Sequence, residues 1–408
     1  MPDVSFVNLF AVTLVALLAP FLLGLAPKVR IPAVVLEIVA GIVLGPSGLG
    51  WIKADLPVQI VALLGLAFLL FLAGLEIDVH RLRGRLLGSA LLGYVITVVL
   101  GVAAGVAFGA VGWVHSPVLI AVTLSATSLG LVVPVLQDAG RVNTDLGQIT
   151  IAASSVADFA AVLLLSLFFS GSGGSTGSRV VLLVAFAALV AVAAVAVGLA
   201  GRSMRVGDVL LRLQDTTAQI RVRAAVVLLV AFVALAEKFG LESILGAFLA
   251  GGVVGLVDRD SASHPHFRIK LEAIGYGFVI PVFFVASGLR LDLRGLLASP
   301  SALLRVPVFL LALLVVRGVP ALLYRRSLGN RSSLAVALLQ ATSLPFLVTA
   351  TQVGVASGLM TPVTAAALVC AGLLSVLLFP VSALALLRKR AKPETRARMD
   401  HSRMGEAM

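Results

Sequence analysis

Charge is what this chain has least of. Only 12% of its 408 residues are Asp, Glu, Lys or Arg, while 60% are hydrophobic; soluble domains carry about 25% charged residues. Too little charge is present to coat a water-facing surface. Cysteine is almost missing as well. Cys370 stands alone, which excludes an intramolecular disulfide and a cysteine metal cluster. Met1 to Phe6 lack the basic stretch that opens a secretory signal, so the first apolar run reads as a retained span. The alternating ten-residue segments of a β-barrel are absent. No nucleophile–base pair stands out, and the Gly-rich stretch from Gly171 to Ser178 has no following Lys to make a phosphate cradle. It reads as a flexible external loop. His264 and His266 are a weak metal signal that reads as solvated loop side chains. The expectation is a non-enzyme without a cofactor.

What is present is a succession of apolar runs, each about 20 residues long and able to cross a hydrocarbon core of about 30 Å. Thirteen spans are predicted, over 5–25, 31–49, 57–77, 88–111, 116–137, 147–170, 179–201, 219–237, 241–257, 272–289, 302–324, 332–356 and 361–387. The chain is thus expected to be an all-α polytopic membrane protein. Its formal net charge of +12 reads as membrane topology and contact with anionic lipid rather than nucleic-acid binding. Sorted by side, 24 of the 31 Lys and Arg fall in alternate loops and the C-terminal tail, and six fall on the other face. This bias places the basic face and the C-terminus in the cytoplasm and the N-terminus outside, in the cell membrane.

The chain repeats itself. Ala40 to Gly45 resembles Ala250 to Gly255, Gly74 to Asp78 resembles Gly288 to Asp292, and Ala126-Thr127-Ser128-Leu129 recurs as Ala341-Thr342-Ser343-Leu344. The offsets, 210 to 215 residues, are nearly constant and correspond to seven spans. An odd number inverts the second copy, the inverted-topology plan of many secondary transporters. The two Ala-Thr-Ser-Leu segments lie inside apolar spans and are followed by Pro134 and Pro345. Two discontinuous helices are predicted there, with free backbone groups at mid-membrane near Thr127, Ser128, Thr342 and Ser343 that suit an ion.

Asp158 lies in an apolar run, Gly147 to Ser170, without another formal charge. A carboxylate at that depth costs roughly 2.5–3.5 kcal/mol on insertion scales, so it points to an ion or proton site. Ser154 and Ser155 are one helical turn away and able to share its face. Carboxylate and hydroxyl oxygens suit a hard alkali cation, and an apolar surround disfavours the ionised carboxylate, so a proton and a cation can compete for the same oxygens. Arg317 is the second intramembrane charge. It is expected to hold the C-terminal ends of half-helices or to balance Asp158 when the site is empty. Glu37 and Glu272 lie near span ends and read as packing or gating residues. Gly101, Gly105 and Gly109 form a close-packing face on the fourth span, for a dimer or for a neighbouring helix.

Several segments together resemble the monovalent cation:proton antiporters, in particular the Kef-like and bacterial sodium/proton branch. They are Ile31 to Pro46, Phe71 to Glu76, Ser125 to Ser128, Leu245 to Gly251 and Pro281 to Leu289. The resemblance runs over roughly residues 10–385. It implies a homodimer in which dimerisation helices (about 5–77 and 219–289) and core helices (about 88–170 and 302–387) are joined by a linking helix (179–201), followed by a basic cytoplasmic tail (388–408). It implies too that the core carries two crossed discontinuous helices, here the fifth and twelfth spans, and it aligns Asp158 with the family's ion-binding aspartate and Arg317 with its basic residue on the neighbouring core helix. The sequence departs from the pattern at Ala157, where Asp, Asn or Gln is usual, at Ser343-Leu344-Pro345-Phe346, where a Glu is usual, and in having Arg rather than Lys at 317. The expected activity is exchange of Na+, with K+ and Li+ as alternatives, for H+ by alternating access. Exchange is expected to be electroneutral, because one carboxylate carries one proton per cation and arginine keeps its own. Two rivals stay open: a carrier of the same architecture coupled to a small organic anion, and a cation channel or sensor.

Overall fold

The computed structural model describes residues 5–25, 32–76, 84–169, 176–202, 219–257, 265–298 and 300–387. The tail from residue 388, most of the Gly-rich loop (170–175) and His264 lie outside the described residues. Those that are described are nearly all helical, with no strand among them. The elements are α1 (Val7–Leu25), α2 (Ala33–Leu44), α3 (Leu56–Leu75), α4 (Gly84–Ala110), α5 (Pro117–Ser125), α6 (Leu129–Asp138), α7 (Asp145–Phe169), α8 (Thr176–Arg202), α9 (Ile220–Lys238) and α10 (Ser243–Val257). Then come α11 (Pro265–Ile274), a π turn over Gly275–Val279, α12 (Ile280–Leu289), α13 (Leu293–Leu297), α14 (Pro300–Gly318), a 3-10 stretch over Val319–Tyr324, α15 (Arg325–Gln340), α16 (Pro345–Ala356) and α17 (Pro362–Leu387).

Eight helical segments are long and apolar enough to cross a bilayer, and four shorter apolar helices accompany them. The exterior is greasy: Phe10, Leu17, Val181 and Val227 point outward. The interior holds polar groups, among them Thr97, Thr123, Ser125, Arg317, Gln340 and Thr342. A water-soluble protein has the reverse distribution; a lipid-facing one requires this one, because hydrocarbon cannot hydrogen-bond a polar side chain.

Apolar runs locate most elements but misplace some ends. The tenth span, expected from residue 272, begins at Pro265. Its first turns are amphipathic and carry the i,i+4 pair Arg268 and Glu272, with Nε to Oε1 at 2.8 Å, so helix extends beyond the apolar run that signals it. Helix α13 was not anticipated. Asp292 caps it, accepting from the Gly295 N–H at 2.8 Å. In α15, Gly329 takes a positive φ of 76° and bends the chain where the polar loop enters the span. The glycine row of α4 faces inward onto α5: Gly101 lies against Ala121 and Gly105 against Pro117. It serves close packing within the chain.

The helices gather into two packed groups. One contains α1, α2, α3, α9, α10 and α12; the other contains α4, α5, α7, α14, α15, α16 and α17. Contacts of α7 and α8 with α10 bridge them. In the first group, α2 crosses α12 with Gly41 against Gly288, and α3 crosses α10 with Gly74 against the backbone at Phe248 and Gly251 against that at Phe71. The repeat offset equates Gly41 with Gly251 and Gly74 with Gly288, so the two crossings are counterparts. A Cβ on any of these four glycines would overlap a backbone carbonyl of the facing helix. Gly251→Ala and Gly41→Ala are therefore each expected to lower stability by about 1–3 kcal/mol. Gly277→Ala, whose added Cβ would meet open space, is the matched control. Thermal unfolding in detergent checks this, and equal melting of all three variants would contradict the close crossings.

Candidate functional site

The site is assembled from two interrupted helices and the groups that repair the interruptions. Between α5 and α6 the backbone is extended at Ala126 (φ −80°, ψ 155°) and Ser128 (φ −92°, ψ 90°). Between α15 and α16 it is broken at Leu344 (φ −144°, ψ −59°), just before Pro345. Proline has no N–H to continue a helix and disfavours helical backbone in the residue before it. The two breaks meet. The Ser128 N–H donates to the Thr342 carbonyl at 2.9 Å. The Thr127 hydroxyl donates to the Gln340 carbonyl at 2.6 Å. The Leu344 N–H reaches the Ser128 Oγ at 3.4 Å. Ser375 on α17 completes the repair: its Oγ accepts from the Ser343 N–H at 3.2 Å and contacts the Ser343 carbonyl at 3.1 Å. Backbone groups that helix would have satisfied are thus satisfied across the crossing, as a dry interior demands.

Charges sit at the half-helix ends according to their sign. Asp158, on α7, accepts from the Thr127 N–H at 3.2 Å and from the Leu129 N–H at 3.3 Å. Leu129 is the first residue of α6, so the carboxylate faces the positive end of that half-helix. Arg317, on α14 and only 2% exposed, lies at the opposite polarity. Its Nε and Nη2 both donate to the Thr127 Oγ1, at 2.8 and 2.5 Å, and its Nη1 donates to the Thr97 Oγ1 at 3.2 Å. Thr127 follows the C-terminal end of α5, and its hydroxyl leads on to the Gln340 carbonyl at the end of α15. The guanidinium therefore serves the C-terminal ends, and among the described residues no ion pair joins it to Asp158. Thr127 connects the two charges, with its N–H on the carboxylate and its hydroxyl under the guanidinium.

This has a chemical consequence for Thr127. A hydroxyl offers two lone pairs and one proton; both N–H groups of Arg317 and the Gln340 carbonyl use them all. The Thr127 hydroxyl has no capacity left for a cation. Ser128 Oγ, which accepts one long hydrogen bond, retains some. A carboxylate has about four acceptor positions, so Asp158 keeps two beyond its backbone donors.

Two cavities flank the crossing. The first, about 530 Å³, is mostly apolar and brings together Thr127, Ser128 and Asp158 with Phe346 of α16 and Glu37 of α2. The second, about 760 Å³, is more polar and is lined by Gln137, Gln148, Ser155, Arg268 and Glu272 among others. Glu76, Leu129, Gly130 and Tyr276 line both. Of the residues singled out from the sequence, Asp158, Thr127 and Ser128 share the first cavity, while Ser155 faces the second. Ser154 lines neither; its Oγ is buried without a hydrogen-bond partner. Thr342 and Ser343 are at the crossing but act through backbone groups there. Sequence reasoning missed Glu76, which entered only as the last letter of a motif. Its position at the end of an apolar span, one residue past α3, was the signal available. It also missed Tyr276 and Thr97, for which a single apolar span gives no cue.

Known proteins carry the same pattern. The family described as sodium/hydrogen exchanger, transmembrane, matches residues 13–389. A putative Na+/H+ antiporter of Bacillus subtilis is 31% identical over 97% of this chain and 65% of its own length. A Na+/H+ antiporter of Enterococcus hirae is 32% identical over 64% of this chain and 67% of its own length. The Na+/H+ antiporter NhaS5 of Synechocystis is 32% identical over 80% of this chain but only 45% of its own length. The chain thus spans about half to two thirds of these relatives. The solved sodium/proton antiporter MjNhaP1 of Methanocaldococcus jannaschii shares the fold, with a TM-score of 0.61 over 94% of this chain and 99% of that one, at 16% identity. With a family match that runs over nearly its whole length, the chain belongs to the sodium/hydrogen exchanger family.

Proposed function

We propose that the protein is a secondary antiporter that exchanges a monovalent cation, Na+ or alternatively K+ or Li+, for H+ at Asp158. The observation that carries this reading is a carboxylate within an apolar bundle, facing the N-terminal end of one half-helix beside the break in a second. Family membership and relatives named as Na+/H+ antiporters support it. Asp158 and Ser128 supply hard oxygen ligands, and water from the polar cavity supplies others. Thr127 positions Asp158 through its backbone, and Arg317 offsets the C-terminal dipoles. The polar cavity ends on Leu129 and Gly130. It adjoins Val142 and Gln148, the end of the bundle to which the charge bias assigns the cytoplasm. Ser155 lines that approach.

The two packed groups support a division into a core, containing both broken helices, and a dimerisation part, containing the glycine crossings. In this reading the chain is a homodimer in the cell membrane, with its C-terminus inside, and alternating access moves the core against the rest. The counterpart crossings support descent from an inverted repeat. A channel is disfavoured by the paired interrupted helices, a construction typical of carriers that bind an ion at mid-membrane. An organic-anion carrier is disfavoured by the first cavity, whose lining among the described residues has carboxylates but no Lys, Arg or His.

Three outcomes are expected. Asp158→Asn, reconstituted in vesicles, reduces cation-driven proton flux to that of protein-free vesicles while the protein still melts cooperatively; retained flux would falsify the mechanism. Arg317→Ala removes the guanidinium's hydrogen bonds to the Thr127 and Thr97 hydroxyls and leaves the half-helix ends uncompensated, at a cost of about 1.5–3 kcal/mol. Thermal unfolding should show that loss, with Arg317→Lys in between, and an unshifted melting curve for the alanine variant contradicts the role. Exchange is one for one. A pH difference of one unit, about 1.36 kcal/mol, should therefore balance a roughly tenfold cation gradient, and an imposed membrane voltage should leave that null point in place. A null point that moves with voltage rules out electroneutral exchange.

A further inference from the structure

Glu37 is a buried carboxylate that the proposed exchange does not use. It is 5% exposed, lines the 530 Å³ cavity, and makes no hydrogen bond or ion pair among the described residues. An unpaired buried carboxylate is costly unless a partner arrives. The surroundings say what kind of partner. The cavity is walled largely by apolar side chains, including Leu69, Leu70 and Ala73 of α3 and Ala16 of α1, and five rings, Phe248, Tyr276, Phe278, Phe284 and Phe346, also line it. A bare alkali ion needs several oxygen ligands, and most of this lining is apolar. An anion would meet Glu37, Glu76 and Asp158 with no basic side chain among the described residues of the lining. A cation that carries its own apolar body satisfies both features: its charge pairs with the carboxylate and its body fills the greasy space, with aromatic faces available to the charge. The volume lies within the range of small-molecule sites, about 300–1,000 Å³. One wall is α1, whose Leu17 and Pro20 line the cavity and are exposed on the outside, so a membrane-partitioned molecule has a lateral way in.

We propose that this cavity binds a monovalent organic cation with a bulky apolar body, of the arylalkylamine class, through an ion pair to Glu37. Because the same cavity reaches Asp158, an occupant also obstructs cation exchange; that part alone rests on the function proposed above.

The test is a fluorescence titration of the purified full-length chain in detergent with 2-naphthylmethylamine, beside the uncharged 2-naphthylmethanol. The amine is expected to bind at least about tenfold more tightly than the alcohol, and Glu37→Gln to remove that preference while retaining wild-type melting and exchange. Asp158→Asn should bind the amine as the wild type does. Ala16→Trp, which fills the cavity from its α1 wall, should abolish binding and serves in place of Glu37→Gln if the latter does not fold. Equal affinity for amine and alcohol, amine binding unchanged in Glu37→Gln or in Ala16→Trp, or loss of binding in Asp158→Asn alone would each overturn the proposal. Vesicle exchange by the unliganded protein is scored separately: absence of exchange with amine binding intact overturns the antiport reading and leaves this site standing.

Discussion

Everything at the centre of this protein follows from a rule about backbone in a dry medium: a helix can be interrupted only where something else satisfies its N–H and C=O groups. Two interruptions placed against one another satisfy that rule mutually. Thr127 gives its hydroxyl proton to the Gln340 carbonyl, Ser128 gives its N–H to Thr342, and Ser375 covers Ser343. The residual dipole ends then determine where charge is tolerated. Asp158 is stable where N–H groups converge, and Arg317 where the Thr127 and Thr97 hydroxyls accept from it beside the C-terminal end of α5. Neither charge needs the other as a direct partner, which leaves Asp158 available for a mobile one.

Thr127 is the residue on which the arrangement turns. Its amide and its hydroxyl point to opposite charges, so the position of Asp158 is mechanically tied to that of Arg317 through one side chain. Serine at this position would retain the hydrogen bonds but lose the methyl group that restricts the rotamer. A larger residue would displace the crossing. The demand is for a small β-branched hydroxyl, which the interrupted segment supplies.

The sequence made much of this legible, for identifiable reasons. Apolar runs marked the helices because each must cover hydrocarbon. The paired Ala-Thr-Ser-Leu segments marked the breaks because their hydroxyls can satisfy backbone groups that an interruption frees; proline marks only the second, at Pro345, since Pro134 lies inside α6. Asp158 and Arg317 were visible because charge in an apolar run is expensive. Other features lay beyond one-dimensional reading. That Arg317 would contact Thr127 and Thr97 rather than Asp158 depends on helix rotation, which a uniformly apolar helix does not encode. The early start of α11 was hidden because its first turns are polar. Glu76 joins two cavities only once α3 is placed against α6 and α11, and Ser154, at the same spacing from Asp158 as many ligand pairs, turns out to line neither space.

The glycine crossings of α2 with α12 and α3 with α10 bring backbone directly onto backbone, with no side-chain layer between. Side chains can swap rotamers and let helices slide; bare main chain cannot, because its ridges are fixed. These four helices therefore behave as one slab without internal bearings. On the proposed exchange, a rearrangement that exposed Asp158 first to one side of the membrane and then to the other would fall along the seam where α7 and α8 meet α10, and lipid thickness and lateral pressure acting on that seam would then set the pace of turnover.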